Sequence, residues 1–250
     1  MAERPVFLAI EGSDNLKKDA SNRLVREEQV SFKWVAGLSA AQKRKNVESL
    51  HEAARVQGIL EVLEVSTKSG KQLGLKLSAF NLLVEVEGRH PMTLECAFQG
   101  SKVFTKGVQF PELYELTSRE AKQYEGLRTS GDLEGFNFDG LEFPLEPKTA
   151  FYDWLYAKTL AHQVDVLEQL DEYEAFSDIE FNPNKSINCQ ARSCAVTVSL
   201  FRLGILDKAV ESPSAWLDTL DGFPEYARSH QSPSTSDHGQ QSFDIGVSGR

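Results

Sequence analysis

Pro91-Met92-Thr93-Leu94-Glu95-Cys96-Ala97-Phe98-Gln99-Gly100-Ser101-Lys102-Val103-Phe104 combines an apolar pattern of helical period with more polar groups than a simple amphipathic helix carries. A helix is expected over 91–104, with Pro91 in its first turn, where a missing N–H costs least. Leu94, Ala97, Ser101 and Phe104 recur at spacings of three and four and form a small or apolar stripe suited to a core. Glu95, Phe98, Gln99 and Lys102, at i, i+3, i+4 and i+7, set an acid, a ring, an amide and an ammonium in a second row. Facing solvent, that row is an ordinary polar surface with a Glu-to-Lys association worth about 0.2–0.5 kcal/mol. Met92-Thr93-Leu94 and Val103-Phe104 are apolar enough to bury both faces, and a buried acid and ammonium then need partners or a ligand.

Outward from this stretch, the pattern predicts an α+β chain, predominantly helical with short β-strands, whose helices supply most of the core. Val6 to Ile10 and Gln29 to Val35 are expected strands, separated by a polar loop from Glu11 to Glu28. Ser39 with Gln42 three positions on forms a capping box for a helix carrying Val47, Leu50 and Ala54, stopped at Gly58. Leu60 to Val65 and Leu82 to Glu87 are further strands, with Lys68 to Asn81 between them and Gly88 opening a turn. A short helix is expected from Ser118 to Tyr124, closed by Gly126. Phe136 to Phe143 alternates around Asp139-Gly140, the dipeptide of a tight hairpin. Helices are expected over Thr149 to Ala161, Val164 to Tyr173 and Asn188 to Leu203, the last ended by Gly204.

The chain has 250 residues, 40% hydrophobic and 26% charged, enough for one substantial core, so one domain over 1–226 is expected. Residues 227–250 are rich in Ser, Gln, His, Gly, Asp and Pro, and a disordered polar tail is expected there. The longest apolar runs, Val6 to Ile10 and Ala195 to Leu200, fall far short of the roughly 20 residues of a membrane span, and the first residues lack a signal-peptide pattern. A cytoplasmic protein is expected. Cys96, Cys189 and Cys194 stand in no metal-binding spacing and are expected as reduced core thiols, so neither a metal nor a cofactor is assigned. A net charge of -10 argues against a long grip on the DNA backbone, which needs several Lys and Arg side chains on phosphates, and leaves only a local contact if DNA is the substrate.

A second concentration of chemistry runs from Asp178 to Arg192. Asn182, Pro183 and Asn184 are turn formers, and Ser186 or Asn188 is suited to cap the helix that follows, either as a plain loop-to-helix junction or with backbone N–H groups presented to an anion. Asp178 and Glu180 lie among Phe176, Ile179 and Phe181, where an unpaired carboxylate is costly. Phe151, Tyr152, Trp154 and Tyr156 make an aromatic-rich helix, most of it core, one ring of which is able to stack on a base.

The order of these pieces resembles the NADAR (YbiA-like) family, whose members carry Leu-Ser-Asn-Phe, then Glu-x-x-x-Gln-x-x-Lys, then a late Asp-x-x-Trp-Gly followed by an Asn. Leu77-Ser78-Ala79-Phe80 matches the first motif, Glu95, Gln99 and Lys102 fill the second, and Asp178, Phe181 and Asn188 correspond to the third. Ala79 stands in place of the family Asn, Phe181 in place of Trp and Asn182 in place of the Gly, so ring contacts and one hydrogen bond should differ from those of YbiA-like members. The strings LSAFN, ECAFQGSKVF, SREAK, FYDWLY and EFNPNKSINCQARS are similar in particular to the DarT-associated NADAR antitoxin branch, over roughly Pro5 to Leu206.

That resemblance implies a YbiA-like single domain and a hydrolase of N-glycosidic bonds. The activity it implies is release of ADP-ribose from the guanine amino group in DNA, reversing modification by a DarT-type ADP-ribosyltransferase toxin, the expected functional partner. Glu95 and Asp178 are then the candidate acid, base and electrostatic groups, and Lys102 either binds the ribose or pyrophosphate or attacks the opened sugar as an amine. Ser78, Gln99 and Asn188 are candidate substrate contacts, Arg119, Lys122 and Arg192 candidate phosphate contacts, and Phe80, Trp154 and Phe181 candidate pocket walls. Two other readings stay open: a YbiA-like hydrolase of a small ribosylated amine, and a module that binds ADP-ribose or the toxin without cleaving anything. The Glu95, Gln99 and Lys102 row weighs against the second, since sequestration has no need of that trio.

Overall fold

The structure, a computed structural model, describes residues 1–12, 22–37 and 39–226. The tail expected from 227 onward lies outside the described residues, as does residues 13–21 of the expected loop. The central element is a four-stranded sheet of order β2-β1-β9-β3, made of β1 (Ala2–Ala9), β2 (Val25–Phe32), β3 (Val62–Glu64) and β9 (Ala175–Ser177). Pairing is antiparallel except between β3 and β9, where Glu64 lies opposite Ser177. Strand β2 begins four residues before the expected Gln29, so Val25 to Glu28, expected as loop, belong to the ladder. Its apolar periodicity is masked by Arg26, Glu27 and Glu28 on an edge strand that shows one face to water.

Alternation along the strands divides the core in two. Val6, Leu8, Val30, Phe32, Val62 and Ala175 face α1 (Ala40–Val56), which contributes Val47, Leu50 and Ala54. The Ser39 capping box is present, with the Ser39 side chain accepting from Gln42 N, and Gly58 takes a positive φ of 91° beyond the helix. Phe7, Ala9, Val25, Leu63 and Phe176 face the other way, into the larger core. There α6 (Ala150–Ala161), α7 (Val164–Asp171) and α8 (Gln190–Arg202) pack beneath the sheet, followed by the short α9 (Leu206–Ala209) and by α10 (Pro213–Asp221).

The segment expected as one helix over 91–104 is three elements. Met92–Thr93 forms β5 and pairs with β4 (Leu83–Val84); Leu94–Gly100 is helix α3; Lys102–Phe104 is β6. Pro91 is therefore outside the helix, and Thr93 is the N-cap, its hydroxyl accepting from Cys96 N at 3.3 Å. Gly100 and Ser101 end the helix, and the chain then finds a partner that a linear pattern cannot reveal: Lys102 pairs with Phe136 of β7 (Leu133–Phe138). Strand β7 continues through the expected hairpin to β8 (Leu141–Phe143), with Asp139 and Gly140 both at positive φ, 52° and 82°.

Three short helices complete the described chain: α2 (Gln72–Lys76), α4 (Ser118–Gln123) and α5 (Gly126–Thr129). Gly126, expected to close α4, instead begins α5, because Tyr124 already ends α4 with extended φ/ψ. No described helix is long and apolar enough to cross a membrane.

Candidate functional site

The row on α3 is buried throughout. Glu95, Phe98 and Gln99 have no exposed surface, and Lys102 retains 6%. Although Lys102 lies on β6 rather than on the helix, its Nζ stays 5.0 Å from the Phe98 ring centroid, so the four side chains remain neighbours. Gln99 Nε2 donates to Glu95 Oε1 at 3.0 Å. The segment Leu77 to Phe80 docks on the start of α3: Ala79 O accepts from Glu95 N at 2.9 Å, and Leu82 O accepts from Leu94 N at 2.8 Å. Helix α4 closes over this junction, with Ser118 Oγ donating to Phe80 O at 3.3 Å. One turn along the same face, Lys122 Nζ lies 5.8 Å from the Phe80 ring centroid.

Asp178 enters from the end of β9, a three-residue strand in the interior of the sheet. Gln190, in the first turn of α8, joins it to the other half of the site. Gln190 Nε2 donates to Asp178 Oδ2 at 2.9 Å, and Gln190 Oε1 accepts from Ala79 N at 2.7 Å. The amide orientation follows from its partners, because a backbone N–H only donates and the carboxylate accepts. Gln190 thus links the Asp178 carboxylate to the backbone of Ala79, which holds the backbone N–H of Glu95, while the Glu95 carboxylate accepts from Gln99.

Burial and, after it, the charge of Glu180 push the Asp178 carboxyl up to about 7, against the pull of bonds from the Glu180 N–H, Gln190 and the Phe181 N–H. Glu64, buried on the neighbouring strand, is pushed up to about 8 by burial and by the negative charge of Asp178. Its oxygens accept from Ser66 Oγ, Ser177 Oγ and Ile179 N at 2.6, 2.6 and 2.9 Å. His51 Nε2 lies 2.8 Å from Ser177 Oγ, which makes a histidine, serine and glutamate trio beside a cavity of about 180 Å³. It is no nucleophilic triad: Ser177 is fully buried and its hydroxyl donates to the acid rather than to the imidazole. Burial and the charges of Lys71 and Arg55 push His51 down to about 4, so the ring is neutral at physiological pH.

Polar atoms with no hydrogen-bond partner among the described residues gather around the residues that Gln190 links. They include Ser78 Oγ, Gln99 Oε1, Lys122 Nζ, Tyr152 OH and both side-chain polar atoms of Asn188, while Trp154 Nε1 and Glu225 Oε2 are further such atoms in other surroundings. Buried polar groups are ordinarily satisfied, so such a concentration marks a place built to meet a polar ligand.

The sequence-predicted residues thus fall into two groups. Ser78, Phe80, Glu95, Gln99, Lys102, Lys122, Asp178 and Asn188 belong to the loop, helix and strand ends just described. The side chains of the others lie elsewhere. Trp154 is fully buried with its ring packed on Phe138, Phe143 and Phe151, and Arg119 is exposed on α4. Phe181 stays beside Asp178, its N–H donating to Asp178 O at 3.1 Å, but its ring packs edge-on against Phe7 and, with Arg192, lines a cavity of about 720 Å³. Arg192 is already engaged, its Nη1 2.6 Å from Asp153 Oδ2 and its guanidinium 4.9 Å from the Tyr226 ring centroid. Neither Ser186 nor Asn188 caps α8; the N-cap is Cys189, without a side-chain bond, because the Ser186 hydroxyl turns back to donate to Asn188 O.

Gln190 and Tyr152 are the residues that sequence reasoning missed. A glutamine at the start of a helix has no distinguishing pattern, and Tyr152 reads as one more core aromatic. The Ala79 substitution was a partial signal, since it left the family's hydrogen-bonding position to be filled from elsewhere.

A family model described as DarT1-associated NADAR antitoxin matches residues 2–230 of the chain. No curated protein sequence matches it.

Proposed function

The chain belongs to the DarT1-associated NADAR antitoxin family, and on that premise we propose that it is an N-glycosidase that removes ADP-ribose from the amino group of guanine in DNA, undoing the modification made by a DarT-type toxin. The observation that carries this reading is the pair of buried carboxylates, Glu95 and Asp178, on elements tied together by Gln190, which bonds the Asp178 carboxylate and the Ala79 backbone that in turn seats the backbone N–H of Glu95. Breaking a ribosyl C1′–N bond builds positive charge on the anomeric carbon and ring oxygen, and a carboxylate in a desolvated site stabilises that charge far better than water does.

In the overall step the C1′–N bond breaks, the guanine nitrogen keeps the electron pair and takes a proton, and water supplies hydroxide to C1′ and the proton to the base. The products are unmodified guanine and ADP-ribose. Asp178, with its carboxyl pushed to about 7, is suited to exchange a proton at neutral pH. Glu95 stabilises the sugar cation or shares the proton transfer. Lys102 contacts the ribose or pyrophosphate, or forms a Schiff base with the opened sugar. Lys122, beside Phe80, is the phosphate contact nearest this group, while Arg119 and Arg192 reach the substrate only from outside it.

The test is incubation of the purified protein with an oligonucleotide carrying one ADP-ribosylated guanine, read by mass spectrometry. The expected result is free ADP-ribose and an oligonucleotide returned to its unmodified mass. An oligonucleotide left intact at stoichiometric protein overturns the proposal. Tight binding of ADP-ribose without release would then mark a binding module, and turnover confined to a small phosphorylated ribosylamine would mark a metabolic hydrolase.

A further inference from the structure

Tyr152 is an anomaly on α6. Its ring sits edge-on to Phe98 at 5.1 Å, in the same aromatic layer as Phe151 and Phe136, and only 1% of the residue is exposed. The hydroxyl has no hydrogen-bond partner among the described residues. The neighbouring Tyr156, one turn on, shows what a purely structural tyrosine does here: its hydroxyl donates to Leu77 O at 2.9 Å. A phenylalanine at 152 would fill the same space without burying an unpaired hydroxyl, so packing gives no reason for the oxygen.

Its contact with Phe98 locates Tyr152 beside the row of Glu95, Gln99 and Lys102. Burial first, then Glu95, Cys189, Asp178 and Asp153 push its phenol well above the ordinary tyrosine range. The hydroxyl stays protonated there and presents a neutral donor. Gln99, next in the chain to Phe98, has its Oε1 likewise without a partner among the described residues. A donor from tyrosine and an acceptor from glutamine are what one sugar hydroxyl requires, since it accepts one bond and donates another.

We propose that Tyr152 is a substrate-contacting residue whose phenol donates a hydrogen bond to the 2′-hydroxyl of the bound ribose. The anomeric carbon has two oxygen-bearing neighbours on the sugar, the ring oxygen and the 2′-hydroxyl. The ring oxygen becomes electron-poor as the C1′–N bond breaks, and a hydrogen-bond donor there opposes the charge that the carboxylates stabilise. The 2′-hydroxyl keeps its lone pairs, accepts from the phenol and leaves its own proton for Gln99 Oε1 or a carboxylate. This inference rests on the N-glycosidase reading, which supplies the ribose.

The experiment compares wild type with Tyr152→Phe, using ADP-ribose and its 2″-deoxy analogue, which lacks the hydroxyl beside the anomeric carbon of the terminal ribose, as calorimetric probes and thermal unfolding without ligand. Wild type is expected to prefer ADP-ribose by about 10-fold, the scale of one buried hydrogen bond, and Tyr152→Phe to bind the two compounds about equally. The thermal midpoint of Tyr152→Phe should be unchanged or about 2–4 °C higher, because the substitution removes a buried unpaired group. A structural role would instead lower the midpoint. Undiminished discrimination by Tyr152→Phe, or a midpoint lowered by several degrees, overturns this inference and leaves the N-glycosidase reading standing. A wild-type protein that binds neither compound and releases no ADP-ribose from the oligonucleotide overturns both.

Discussion

At the residue scale the proposed chemistry rests on two carboxyls, and their substitution separates chemistry from structure. Glu95→Gln and Asp178→Asn each keep size and most hydrogen bonds while removing the acid. Each is expected to slow single-turnover release of ADP-ribose by about 100-fold or more, within the range of a positioned acid or base, with little change in the circular dichroism of the fold. A near-normal single-turnover rate in either variant would remove that residue from the reaction. Lys102→Arg keeps the cation but cannot form a Schiff base, so a retained rate together with no adduct trapped by borohydride in wild type would make the lysine an electrostatic contact.

Glu64 belongs to this scale too, but its consequence is stability. Its carboxyl titrates at about 8 in the folded protein against 4.5 unperturbed, and Asp178 at about 7 against 3.8. The native state therefore holds protons that the unfolded chain has already released, and stability falls as pH rises from about 4 towards 8. Glu64→Gln removes one of these contributions while its amide still serves Ile179 N and Ser66, and Ser177 is free to turn its proton to the neutral His51 ring. Thermal midpoints at about pH 5 and about pH 8 should show a steep decline in wild type and a shallower one in the variant. Equal declines would mean that Glu64 is not the group that titrates.

Among the elements, the first turn of α8 is the most consequential, since Gln190 reaches both the strand end that carries Asp178 and the loop that seats α3. Gln190→Leu leaves Ala79 N–H buried without its acceptor and should cost about 1–3 kcal/mol of stability. It also withdraws a donor that favours the charged form of Asp178, so the limb of the pH–rate profile that reports this acid should move to higher pH. Gln190→Glu keeps an acceptor for Ala79 but sets a second carboxyl against Asp178, and should move the limb further in the same direction with a smaller loss of stability. A profile that stays in place in both variants would reduce Gln190 to a structural tie. For contrast, Ser39→Ala at the N-cap of α1 should cost about 1 kcal/mol in unfolding and leave turnover alone.

For the whole molecule, charge is the property that bears on DNA. At a net charge of -10, affinity for unmodified duplex should be weak and should depend shallowly on salt, recognition resting on the ADP-ribose and its base. Binding measured between about 50 and 200 mM salt tests this. A loss of several orders of magnitude over that range would reveal an extended phosphate contact that this composition argues against.

Local chemistry was enough for the sequence to determine the α1 capping box, the Asp139-Gly140 hairpin and the helices α6, α7 and α8, since caps, turns and helical periodicity act over a few residues. Only the tertiary structure decided that α3 stops at Gly100, because Lys102 finds its partner in Phe136, which lies far along the chain. The same holds for β9, too short to display a period and stable only between β1 and β3. It holds again for the burial of the Glu95 row and for the join that Gln190 makes between Asp178 and Ala79, where groups remote in sequence meet in a site from which the surrounding core excludes solvent. Residue types and spacing specify which groups are available for chemistry, whereas desolvation and hydrogen-bond partners, which set their acidity and reach, exist only once distant elements have packed.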